Sequence, residues 1–133
     1  MYWHSGRNEN GDGGLHFAFP HLIWYKFPKK DAFYPARVSF KARVGSGCNA
    51  GYCRATKYQF VGSNDPSCNR YSNWKVLCQD LSGERFGYNT VKYCNVNEEV
   101  TEKFSCLGIS VLEASYTGYN CVSMSAIRMW EFE

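Results

Sequence analysis

Seven cysteines, at positions 48, 53, 68, 78, 94, 106 and 121, are the side chains best placed to do chemistry here, either by holding a metal or by cross-linking the chain. A structural zinc site needs close ligand pairs. The closest pair is Cys48 and Cys53, no second such pair follows, and the three histidines, His4, His16 and His21, all lie upstream. Disulfides are therefore expected, and with them an oxidising setting: secreted, or on the extracellular surface. Position along the chain suggests Cys48 with Cys53 across a short loop, Cys68 with Cys78 across the turn before the Trp74 strand, and Cys94 with Cys106 across one connection. Cys121 is left unpaired or linked to a second chain, which would make an oligomer.

Catalysis is not expected. A hydrolase needs a nucleophile with a base and an orienting group, or two positioned carboxylates. None of the twelve acidic residues sits where turn geometry and apolar burial combine to raise its pKa, and no nucleophile-elbow, zinc-protease or phosphate-loop motif occurs. With a formal charge of +3 and no basic run longer than Lys29-Lys30, nucleic acid is not an expected partner either.

Binding is better supported. Sugar recognition stacks an apolar sugar face on an aromatic ring and takes the hydroxyls with fixed polar groups, for which Arg, Asn, Asp and His are suited. His4, Arg43 and Arg54 flank the Trp3 segment and the Cys48–Cys53 loop. Trp3 and Tyr52 are large aromatics in polar surroundings with no periodic core to enter. These five residues form the expected carbohydrate site.

The elements that must position them read as strands. Four Trp, ten Tyr and nine Phe make up 17% of the 133 residues, a composition that favours sheet over helix. Ala36 to Val44 alternates cleanly, with Val38 and Phe40 on one face and Arg37, Ser39, Lys41 and Arg43 on the other. Similar runs recur at 15–19, 22–27, 56–62, 74–79, 86–93, 106–113 and 122–132, separated by turn-rich segments. In the last run the alternation changes parity, which requires either a bulge near Ala126 to Arg128 or a strand covered on both faces. Val96 to Lys103 carries charges without an apolar helical stripe and reads as a solvated loop. No stretch approaches the roughly 20 apolar residues of a membrane-spanning helix. The whole chain, 1–133, reads as one all-β, antiparallel sandwich of about eight strands, stapled by disulfides.

Several of these passages, in this order, resemble the discoidin family, the coagulation factor five and eight C-type domains within the galactose-binding-like superfamily. They are Leu22 to Phe27, Ala36 to Arg43, Tyr58 to Asp65 followed by Trp74 to Val76, Leu107 to Val111, and Ala126 to Glu131. The resemblance implies a jelly-roll sandwich that binds galactose- or fucose-type glycans on glycoproteins in recognition or adhesion, without catalysis. Fucose-binding relatives use a His ahead of the early aromatic strand and two Arg beside a disulfide loop, to which His4, Arg43 and Arg54 are similar in arrangement. Those lectins carry adjacent cysteines and an Asp, whereas four residues separate Cys48 from Cys53 here and no Asp lies between them. Coagulation and receptor relatives offer the alternative, an adhesion module for a protein partner or an anionic phospholipid membrane.

Calcium-binding relatives take most of their ligands from an acidic loop ahead of the position of Tyr2-Trp3 and one carboxylate from the last strand, which Glu131 would match. That loop lies before this chain begins, and no positively charged, apolar leader precedes Tyr2, so the sequence reads as a mature region or an N-terminally truncated piece. A hard cation wants six to eight oxygens. Asn8, Asn10 and Asp12 alternate but lack the bidentate Glu of an EF-hand loop. No cofactor is expected, with calcium reserved for a longer form that has the loop.

Overall fold

The computed structural model describes residues 20–42, 54–84, 90–114 and 123–132, and the backbone of 2–4. Eight strands follow one another among them: β1 (Tyr2–His4), β2 (His21–Lys26), β3 (Pro35–Ala42), β4 (Ala55–Ser63), β5 (Lys75–Asp80), β6 (Val91–Asn95), β7 (Cys106–Ala114) and β8 (Ser123–Glu131). A single 3-10 turn at Lys29–Asp31 interrupts them. The strands form two antiparallel sheets, ordered β1-β8-β3-β6 and β2-β7-β4-β5. The pairing is nested, with β4 on β5, β3 on β6, β2 on β7 and β1 on β8. Such nesting is what rolling one long hairpin into two layers produces, and it gives the strand order of a jelly roll.

The alternating pattern of β3 explains the inner face. Val38 and Phe40 point inward and are fully buried, meeting Tyr58 and Phe60 of β4, Leu107, Ile109 and Val111 of β7, and Met124 of β8. Phe40 stands edge-on to Tyr58, with centroids 4.8 Å apart at 84°. On the opposite face Arg37 and Lys41 keep partial exposure, but Ser39 between them is buried. Gly62 is required by packing, because a Cβ there would lie 2.8 Å from ring atoms of the buried Phe104.

The parity change in β8 is a bulge. Ser39 pairs with Arg128 and Lys41 with Ser125, so Ala126 and Ile127 together oppose one residue of β3. Ala126 takes a positive φ of 48°. The extra residue lets Met124 on one side of the bulge and Ile127 and Met129 on the other all reach the core. Segment 96–103 is a loop, but it is not wholly solvated: Val96 and Val100 fill the core's lower edge and Phe104 closes over Gly62.

Two disulfides differ from the sequence expectation. Cys68 is bonded to Cys106 and Cys78 to Cys94, with Cα atoms 6.4 Å and 6.1 Å apart, in place of Cys68–Cys78 and Cys94–Cys106. Proximity along the chain misleads because the nested pairing sets the neighbours. Loop 64–74 folds back over the start of β7, bringing Cys68 to Cys106, while Cys78 and Cys94 lie on the outermost strands of the two sheets. Cys48, Cys53 and Cys121 lie outside the described residues, as do the expected strand at 15–19 and Asn8 to Asp12. By loop-closure entropy each described bond contributes about 3 to 4 kcal/mol. Peptide mapping under non-reducing conditions is expected to recover the 68–106 and 78–94 pairs; finding Cys68 joined to Cys78 would contradict this pairing. Gly62→Ala is expected to destabilise the fold by about 1 to 3 kcal/mol in urea titration, because the Phe104 ring cannot yield without opening the core.

Candidate functional site

The open side of the sandwich, where β5 and β6 are the outermost strands, holds an open cleft. Three ties cross this side. They are the Cys78–Cys94 disulfide, a 2.8 Å hydrogen bond from the Asn97 N–H to the Leu77 carbonyl, and an ion pair of 3.5 Å between Lys92 and Asp80. Over these ties lies an open groove of about 570 Å³. Its polar lining comes from Gln79 and Asp80 of β5 and from Asn95 and Asn97 of β6 and the loop after it. Val76, Leu81 and Tyr93 add apolar lining.

Tyr93 joins this groove to the outer face of the first sheet. The ring is 54% exposed, so it offers a face to a ligand and not to the core. Its orientation follows from the register. Ser39 pairs with both Tyr93 and Arg128, and Arg37 with both Asn95 and Trp130, so Trp130 stands directly across from Arg37 on β8 and Tyr93 diagonal to it on β6. The guanidinium carbon lies 4.4 Å from the Trp130 centroid and 4.9 Å from that of Tyr93, and the two ring centroids are 6.3 Å apart. Two cation–π contacts through one residue hold both rings at roughly 0.5 to 1 kcal/mol each for exposed sites.

Asp80 is held ionised. The Ser82 hydroxyl and then the Ser82 N–H, at 2.7 and 3.0 Å, lower its carboxyl below the usual range, partly opposed by burial and helped by Lys92. Asp65 is lowered in the same way by Ser67, and Glu113 by Lys57 and Thr56. A general acid at neutral pH needs the opposite displacement. Tyr58 is pushed up to about 12 by burial and by the charge on Asp80, so its phenol stays protonated. Fixed acceptors and donors beside an aromatic face suit this arrangement to binding.

Of the residues expected from the sequence, Trp3 and His4 lie on β1, in register with Met124 and Ser123 of the first sheet. Arg54 is half-buried immediately before β4 of the second sheet. Arg43 and Tyr52 lie outside the described residues. Glu131 is exposed on β8 opposite Pro35, and among the described residues no group of three or more His, Cys, Asp or Glu could hold a metal ion. The groove and the contact of Arg37 with two rings were not foreseen. Tyr93 and Trp130 fall on strands the sequence reveals, but only the pairing register brings both of them to Arg37.

Comparison of the chain with models of protein families and with curated proteins gives no match to either. The pKa of Asp80 makes one prediction. A group lowered in the folded state contributes stability that is complete above its unfolded value near pH 4 and is lost as pH falls through the folded value. Unfolding free energy from urea titration is therefore expected to decline from about pH 5 downward, and Asp80→Asn to remove part of that slope. An unchanged slope would mean that Ser82 and Lys92 do not favour the ionised carboxylate.

Proposed function

We propose that this domain is a non-catalytic carbohydrate-binding module that recognises galactose- or fucose-type glycans outside the cell, in recognition or adhesion. The observation that carries the reading is Tyr93, a half-exposed ring fixed at the rim of a groove lined by amides and a carboxylate. A pyranose has one apolar face and a ring of hydroxyls. Its apolar face would stack on Tyr93, and its hydroxyls would meet Asn95, Asn97, Gln79 and Asp80, whose donors and acceptors suit paired hydroxyls. Gln59 donates to the Gln79 carbonyl oxygen at 3.0 Å, which fixes that amide with its own N–H groups turned from the contact. The likeness of the strand passages to the discoidin family points the same way. So do the two disulfides, which persist in an oxidising setting, and among the described residues no helix is long and apolar enough to cross a membrane.

A protein partner is the second reading, favoured by β5 and β6 as outermost strands of their sheets, where an extended segment could add by main-chain hydrogen bonds. A glycan array followed by calorimetry on the best galactose or fucose ligand separates the two. Tyr93→Ala is expected to weaken that ligand about tenfold or more, and Asn97→Ala severalfold, with thermal stability little changed. An array without binding, together with a defined protein ligand whose contact maps to β5 or β6, would replace the carbohydrate reading with the adhesion one.

A further inference from the structure

We infer that the glycan is sulfated, with its sulfate seated on the outer face of the first sheet against Arg37, Lys41 and Arg128; the inference rests on the carbohydrate reading of the adjoining groove. The register defines this face. Arg37, Ser39 and Lys41 of β3 share it with Tyr93 and Asn95 of β6 and with Arg128 and Trp130 of β8. Three cations therefore surround the buried Ser39, two flanking it along β3 and Arg128 directly across from it, and no carboxylate occupies an outward position among these residues.

Elsewhere three lysines are matched to acids. Lys57 meets Glu113 at 3.1 Å, Lys75 meets Glu102 at 3.0 Å and Lys92 meets Asp80 at 3.5 Å. Arg37 is matched to rings. Tyr93 and Trp130, whose centroids are only 6.3 Å apart, approach its guanidinium from neighbouring directions and not from opposite faces, so the half-buried Arg37 keeps a side of its N–H fork from which a tetrahedral oxyanion can accept. Arg128, diagonal to Arg37 across the β3–β8 pairing, brings a second fork to the same spot. Because Tyr93 borders both surfaces, one sugar can stack on its ring and present a sulfate over the sheet edge.

Other polyanions fit less well. Among the described residues the outward positions of this face hold mostly polar, charged and aromatic side chains and not the projecting aliphatic ones that enter a bilayer, and a net charge of +3 is small for a nucleic-acid binder. Calorimetry with a κ-carrageenan tetrasaccharide and its chemically desulfated counterpart tests the inference, using the wild-type chain, Arg128→Gln and Lys41→Gln, each checked for fold by circular dichroism. The wild type is expected to prefer the sulfated sugar about tenfold, with the preference shrinking as NaCl rises from about 0.05 to 0.2 M. Each variant is expected to lose severalfold affinity for the sulfated sugar and to bind the desulfated one as before. Equal affinity for the two sugars, or a preference that survives both substitutions together, would overturn the sulfate assignment and leave the carbohydrate reading standing. Binding of neither sugar would remove both. Tighter, Arg128-dependent binding of phosphatidylserine vesicles or of an oligothymidylate would overturn the assignment in favour of a membrane or a nucleic acid.

Discussion

The closure of the β5–β6 side is the constraint on which the rest of this molecule depends. A two-layer sandwich buries its inner faces by hydrophobic contact, but its outermost strands have nothing beyond them to hold the layers at a fixed separation. Here the Cys78–Cys94 bond, the Asn97 to Leu77 hydrogen bond and the Lys92–Asp80 pair do so. The covalent tie fixes the distance. The hydrogen bond fixes the height of the loop after β6, and the ion pair, between half-exposed groups, adds little energy but orients Asp80. A groove can exist there because the layers are pinned beneath it without being filled.

The second device is the bulge at Ala126 and Ile127. Without it, β8 would keep one parity throughout, and its aliphatic residues on one side of the bulge would face water. With the extra residue, Met124, Ile127 and Met129 all contribute to the core, and Arg128 and Trp130 turn outward beside Arg37. The positive φ of Ala126 costs about 1 to 2 kcal/mol for a residue with a Cβ. Three buried or half-buried apolar side chains offset that cost, since each returns about 1.5 to 3 kcal/mol when fully buried. Core packing and the aromatic face are thus consequences of one irregularity.

The sequence disclosed a good deal of this architecture. Alternation in β3 identified its inner residues, and the parity change in 122–132 flagged the irregularity at the right residues, because both signals are local. What it could not disclose was which strands lie side by side. The cysteines show the difference: pairing neighbours along the chain joined Cys68 to Cys78 and Cys94 to Cys106, whereas the roll brings Cys68 to Cys106 of β7 and Cys78 of β5 to Cys94 of β6. The aromatic site failed to appear for the same reason. Arg37 read as one residue of the polar face of an alternating strand, and nothing in residues 36–44 announces that Tyr93 and Trp130 lie 56 and 93 positions further on and beside it.

Val96, Val100 and Phe104 refine that lesson. Their spacing carries no strand alternation and their neighbours are charged, so composition reads a solvated loop, yet all three pack inward. A loop that crosses from the first sheet to the second must pass over the open end of the core, and it can cover that end only by lending it apolar side chains. Glu98, Glu99, Glu102 and Lys103 stay in water between them. The same loop begins at Asn97, whose N–H ties it to Leu77 and which also lines the groove. Burial of Val96 and Val100 therefore anchors a polar group of the candidate site, so that the recognition surface is held by the core and not by the loop alone.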